Sequence, residues 1–438
     1  MNDQVMTADA AYPTGEQKAV NSPLKILLAS LIGTTIEYFD FYIFGTAAVL
    51  VFPKLFFPSS DATMANLQSL ATFGLAFIAR PIGSALFGHF GDRIGRKATL
   101  VAALLTMGLS TVFIGMLPSY ASIGLAAPLL LALLRFGQGL GLGGEWGGAV
   151  LLATENAPPG KRAWYGMFPQ LGAPIGFLLS GSAFLLLTTQ LPEADFLQWG
   201  WRIPFLASSL LVFIGLYVRL NITETPAFRA VLEKHERVKV PMLSVVTKHP
   251  RALILGMFSG MGQFVLYYLI TVFTLSWATT SLGYPRQDFL VLQLLSVVFF
   301  ALFIPVAAKL SDARGRTTAL TLGAMGIVVL GLALGPMLQA GSSTTLLALS
   351  IGMSLMGFCF GPLGMLMSDL FPTEVRYTGA SLAFNLSSIV GASFAPYIAT
   401  WLATKFGLQF VGYYLSVMAL ISVIALLRVK KISSQGGA

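Results

Sequence analysis

The chain has 438 residues, 55% of them hydrophobic and only 10% charged, whereas soluble domains carry about 25% charged residues, so a water-soluble globular domain is excluded. Apolar runs of about 20 residues recur from end to end, each long enough to cross roughly 30 Å of hydrocarbon. The net charge of +9 does not point to nucleic acid, because the basic residues sort by topology.

Residues 1–23 are polar and carry acids without an apolar core, which reads as a cytoplasmic tail. Twelve spans follow, near 25–52, 67–89, 98–117, 124–153, 164–189, 203–220, 252–279, 288–308, 318–338, 344–370, 378–403 and 407–428. With the N-terminus inside, Lys and Arg sort as 21 on the cytoplasmic side, 4 outside (Lys54, Arg202, Arg286, Lys405) and 2 within the membrane. That excess satisfies the positive-inside rule and predicts both termini in the cytoplasm of a bacterial inner membrane. The single cysteine, Cys359, lies in a span, so no internal disulfide is available.

Span 1 contains IEYFDFY, which sets Glu37 and Asp40 three residues apart on one helix face. Carboxylates at that depth are costly unless they face water or a partner, and they are candidates for taking up a proton. Span 2 carries Arg80 in FIARPIG. Eleven residues before Gly91, at 1.5 Å each, place it about 16 Å into the membrane. There a guanidinium can hold a substrate carboxylate by two parallel hydrogen bonds, or form a structural salt bridge to Glu37 or Asp40. Span 4 reads LLRFGQGLGLGGEWGGAVLLATE. Gly139, Gly143 and Gly147, four residues apart, predict a smooth face that lets another helix approach closely. The formal G-x-G-x-x-G inside this span follows no strand and is not a dinucleotide site. Arg135 and Glu145 bring the intramembrane charges to five, all in the first half. Gln138 and Gln170 join Arg80, Arg135 and Glu145 as first-half candidates for substrate contact. The second half offers the uncharged Gln263, Tyr267, Tyr268, Gln293 and Asn385, of which Tyr267, Tyr268 and Asn385 are the leading substrate contacts. Proton coupling is assigned to Glu37, Asp40 or Glu145.

The charged turns show that the chain is a tandem duplication. GHFGDRIGRK at 88–97 is echoed by AKLSDARGRT at 308–317, which sets Asp92 on Asp312, Gly95 on Gly315 and Arg96 on Arg316, 220 positions apart. P-x-x-x-R also occurs twice, at Pro158/Arg162 and Pro372/Arg376. The predicted organisation is a first six-helix bundle over 24–220, a cytoplasmic linker over 221–251 with its own surface helix, a second bundle over 252–430 and a tail over 431–438. Nothing suggests an enzyme, a cofactor or a metal: no nucleophile and base pair, nucleotide loop or Cys/His spacing emerges.

These phrases resemble the major facilitator superfamily. ARPIG, GHFGDRIGRK, GLGGEWGGA, WGWRIPF and FPTEVRYTGAS are similar in particular to its metabolite:proton symporter family, which includes permeases for 2-oxoglutarate, citrate, shikimate and proline or betaine. The resemblance covers about 25–430. It implies an all-α membrane protein with twelve transmembrane helices in two pseudo-symmetric six-helix bundles, working as a monomer by alternating access. It also implies a gating latch: Gly88, Asp92, Arg93, Gly95 and Arg96 in the first turn, with Asp92 at a helix N-terminus and Arg96 on Glu155. Asp312 and Arg316 would form the second latch, with Asp369 or Glu374 as partners, and Arg162 and Arg376 of the repeated P-x-x-x-R are further gating candidates. The second copy has Ala308 for the first glycine and Thr317 for the final lysine, so a looser latch is expected there. The function this predicts is proton-driven uptake of a small carboxylated or zwitterionic metabolite; the alternative is a proton-coupled exporter of drugs or waste metabolites.

Overall fold

The computed structural model describes residues 23–59, 61–94, 96–155, 157–158, 160–220, 241–372 and 375–435. Among these every regular element is a helix. Eleven helices are long and apolar enough to cross a membrane, and the shorter apolar stretch Val101–Met116 supplies the twelfth. The chain is therefore a multi-pass helical membrane protein with its backbone hydrogen bonds closed within each helix, as hydrocarbon requires.

Spans 1, 2 and 3 are Pro23–Leu50, Ala62–Ile94 and Arg96–Met116. Span 4 is broken into Ala126–Gly143 and Trp146–Glu155. Spans 5 and 6 are Arg162–Gln190 and Arg202–Leu220. A short helix, Pro241–Lys248, leads into span 7, which is Pro250–Tyr268 joined through a π turn, Leu269–Phe273, to Thr274–Thr280. Spans 8, 9 and 10 are Arg286–Arg314, Arg316–Gln339 and Ser342–Asp369. Span 11 repeats the plan of span 7, with Arg376–Ser388, a π turn at Ile389–Ser393 and Ala395–Phe406, and span 12 is Leu408–Gln435.

The duplication read from the turns is carried into the packing. Span 1 packs on 5, 2 on 4 and 3 on 6; in the second bundle 7 packs on 11, 8 on 10 and 9 on 12. The bundles meet where span 5 lies against 8 and span 2 against 11. Large apolar side chains such as Leu129, Leu133, Phe213 and Val329 point outward and stay about two-thirds exposed, as side chains facing lipid do.

Close approach depends on the glycine stripe. A Cβ at Gly139 would run into the carbonyl of Ala76, one at Gly143 into that of Arg80, and one at Gly83 into that of Leu140. Spans 2 and 4 therefore pack backbone to backbone, the arrangement that glycines four apart predict. Gly315 occupies φ +88 between spans 8 and 9, which explains why the turn motif keeps a glycine there.

Candidate functional site

Among the described residues the buried charged side chains are Glu37, Asp40, Arg80, Arg135 and Glu145, the five picked out by depth in the sequence. They serve different surroundings. Arg80 lines a cavity of about 20 Å³ between the bundles, with Tyr38, Tyr42 and Ala173 from the first and Phe264, Tyr267, Tyr268, Met356, Phe360 and Phe384 from the second. It is the charged member of that lining. Its guanidinium carbon lies 4.6 Å from the ring centre of Phe41 and 4.8 Å from that of Phe77, and its Nε has no hydrogen-bond partner. A cavity of this size holds about one water molecule, so the bundles must separate to admit a metabolite.

Arg135 is fully buried and does not reach the cavity. Its guanidinium carbon sits 4.3, 4.1 and 4.9 Å from the rings of Phe41, Phe44 and Phe73. Nη1 donates to Gln138 Oε1 at 2.9 Å and Nε to the Phe73 carbonyl at 3.4 Å. Gln138 Nε2 donates to Thr111 Oγ1 at 2.8 Å, and the Thr111 hydroxyl lies 3.3 Å from Asp40 Oδ2 and 3.0 Å from the Met107 carbonyl. Arg135 and Asp40 are thus joined through two uncharged side chains. Asp40 Oδ1 is buried without a hydrogen-bond partner. The structural salt bridge considered for Arg80 and Asp40 is not formed among the described residues; Thr111 stands at the carboxylate instead. Sequence reading missed Thr111; its one signal was a hydroxyl inside the apolar run of span 3.

Two residues grouped with the substrate contacts join the bundles in this structure. Gln170 receives the indole N–H of Trp146 at 3.1 Å and donates to the carbonyl of Phe360 at 2.9 Å. Asn385 donates to Ser84 Oγ at 2.9 Å. Neither lines the cavity. Glu145 is buried at the break in span 4, outside the cavity lining. Gln293 makes hydrogen bonds of its own: its amide donates to the carbonyls of Ile270 and Thr271 in the π turn of span 7 at 2.9 and 2.8 Å. Gln263 is buried with an unpartnered amide nitrogen.

On the face where the repeated turns lie, Asp312 accepts from the amides of Ala163 and Trp164 at 3.0 and 3.1 Å, at the N-terminus of span 5 in the other bundle. Arg316 pairs with Asp369 at 2.9 Å, and Arg162 reaches the same carboxylate at 3.5 Å. Arg376 turns back to the carbonyl of Phe371 at 3.4 Å. Gly95 and Glu374, and the side chains of Asp92, Arg93, Arg96 and Glu155, lie outside the described residues, as does any side-chain environment at Gly88. On the opposite face Glu193 takes Lys54 at 2.7 Å and Arg286, from the second bundle, at 3.7 Å.

This twelve-span duplication with a charged cross-bundle turn is matched over residues 30–391 by the model of the Major Facilitator Superfamily. The chain belongs to this superfamily of membrane transporters. It is 56% identical over 418 residues, 94% of this chain and 95% of the relative, to the inner membrane metabolite transport protein YhjE of Escherichia coli. It is 36% identical to the shikimate transporter of the same organism, covering 92% of this chain and 93% of that one. The fold is similar to a structure of the proton:xylose symporter XylE, with a TM-score of 0.71 at 20% identity over 93% of this chain and 95% of that one.

Proposed function

We propose that the chain is a proton-coupled symporter that takes up a small carboxylated or zwitterionic metabolite across a bacterial inner membrane by alternating access. The observation that carries this reading is the placement of Arg80: one guanidinium, with an unpartnered Nε, in a closed cavity walled by aromatic rings of both bundles. A buried cation in that setting is matched by a ligand that brings its own anionic group. Relatives named for shikimate and for metabolite transport and a fold shared with a proton symporter support it.

The proton is assigned to Asp40. Its carboxylate is buried, with the Thr111 hydroxyl at one oxygen and no hydrogen-bond partner at the other. When Asp40 is ionised, Thr111 donates to it; when Asp40 is protonated, Thr111 turns to the Met107 carbonyl. Gln138 donates to Thr111 in either state, so the switch needs no breakage of the link to Arg135. The latch face that holds Asp312 against span 5 is read as the cytoplasmic gate, with both termini on that side and the chain working as a monomer.

The test is uptake by purified protein in liposomes under an inward proton gradient, with shikimate, citrate, 2-oxoglutarate, proline and glycine betaine as substrates. Accumulation of one of them that is lost with a protonophore, with Arg80→Ala and with Asp40→Asn is the expected result. Uptake indifferent to the gradient, or to both substitutions, would refute the reading.

A further inference from the structure

We propose that Phe41 is the positioning residue through which occupancy of Arg80 is felt by the chain from Arg135 to Asp40. The inference rests on the roles given to Arg80 and Asp40 above. Phe41 follows Asp40 directly in span 1, and its ring takes the guanidinium of Arg80 from span 2 at 4.6 Å and that of Arg135 from span 4 at 4.3 Å. It is buried and hemmed in by Phe73, Phe77 and Tyr268, with ring centres 5.7, 5.3 and 6.3 Å away. It therefore cannot move without moving its neighbours.

The two cations share this ring at a cost. A π face attracts a guanidinium, but two guanidinium groups drawn to one ring repel each other across a medium of low dielectric. Each also keeps one buried nitrogen with no hydrogen-bond partner, Nε in Arg80 and Nη2 in Arg135, and Phe41 is a ring contact the two share, Arg80 lying also over Phe77 and Arg135 over Phe44 and Phe73. An anion on Arg80 weakens that repulsion and draws Arg80 toward the cavity. Arg135 then settles on the ring, and its grip on Gln138, and through Thr111 on Asp40, changes. Because the coupling is thermodynamic, it runs both ways: protonation at Asp40 alters the affinity at Arg80.

Leucine at this position keeps most of the apolar bulk and removes the π face, and tyrosine keeps the π face with one added hydroxyl. The experiment uses full-length protein in liposomes with the five compounds above and compares two readouts for the one that wild type accumulates. The first is gradient-driven accumulation, and the second is exchange at equal pH on both sides, which needs binding and alternating access without net proton movement. In Phe41→Leu exchange should fall by no more than about threefold while accumulation falls at least about tenfold, within the span of typical coupling energies, and Phe41→Tyr should recover both. Unchanged accumulation in Phe41→Leu, or equal loss of both readouts there, overturns the proposal while leaving the symporter reading intact. Absence of gradient-driven accumulation in wild type for all five compounds overturns the symporter reading and this inference with it.

Discussion

The indole of Trp146 and the ring of Phe384 lie face to face across the two bundles, 3.7 Å between centres and 14° from parallel. Phe384 also forms part of the cavity wall, and Trp146 is held in place by Gln170, which in turn binds the Phe360 carbonyl. A stacked pair contributes about 0.5–1.5 kcal/mol beyond its buried area, enough to bias the bundles toward closure at this level. Phe384→Ala is expected to loosen that closure and raise the proton leak of substrate-free liposomes, read with an internal pH dye. A leak equal to that of wild type would show that the barrier lies elsewhere.

At Asp312 one carboxylate serves two amides at the start of span 5, where the helix dipole favours an anion. Asp312→Ala removes the acceptor from both amides, which costs about 1–3 kcal/mol where such groups are shielded from water, and takes that amount from the conformation in which this face is closed. Uptake should fall severalfold with the protein still present in the membrane, and Asp312→Asn, which keeps an acceptor oxygen, should fall less. Equal uptake in all three forms would mean that this contact does not govern the rate.

Asp369 is shared by Arg316 at 2.9 Å and Arg162 at 3.5 Å. Arg316 belongs to the same bundle as Asp369, and Arg162 to the other. A double-mutant cycle on thermal stability should give the larger coupling for Arg316 with Asp369, because that pair is closer and less exposed; exposed pairs are worth at most about 1 kcal/mol. The cycle for Arg162 with Asp369 should instead show in transport rate, since only that pair must break when the bundles part. A larger stability coupling for Arg162 would reverse this assignment.

Much of the architecture was legible because membrane solvent imposes it. Spans, their number and the duplication follow from hydropathy and from Asp312, Gly315 and Arg316 falling on Asp92, Gly95 and Arg96. The charges Glu37, Asp40, Arg80, Arg135 and Glu145 could be marked as buried because no lipid-facing position tolerates them. What those charges touch was not legible. Thr111, Gln138 and Asp40 are brought together by the packing of spans 1, 3 and 4, and Trp146 meets Phe384 across 238 positions of chain. Helical periodicity specifies a face, not which residue of another helix lies opposite it. For the same reason Asn385 and Gln170, sensible as substrate contacts by polarity and depth, are occupied by groups of the facing bundle.

The glycine stripe offers a contrast within one residue type. A methyl group at Gly143 meets the backbone carbonyl of Arg80, so Gly143→Ala must push span 2 aside at a cost of about 1–3 kcal/mol and shift the guanidinium that lines the cavity. At Gly33 a Cβ meets nothing within 4 Å, and Gly33→Ala removes a poor helix former, a gain of up to about 1 kcal/mol. Thermal denaturation in detergent should therefore show Gly143→Ala less stable than wild type and Gly33→Ala equal or more stable. Uptake should be lost in the first and retained in the second. If the two variants behaved alike, close packing of spans 2 and 4 would not be what positions Arg80.

Arg135 tests whether charge or shape matters in the buried chain. Its guanidinium is surrounded by three rings while it donates to Gln138 and to the Phe73 carbonyl, a planar set of demands that the compact, strongly hydrated ammonium of lysine does not meet. Arg135→Lys keeps the positive charge but leaves the Gln138 carbonyl oxygen or the Phe73 carbonyl without its donor. Gradient-driven accumulation should drop by an order of magnitude or more, taking one lost buried hydrogen bond to a charged group as about 1.5–3 kcal/mol, while the protein continues to reach the membrane. Normal accumulation in Arg135→Lys would show that a positive charge alone suffices there, and that the hydrogen-bonded route through Gln138 and Thr111 to Asp40 is not needed for coupling.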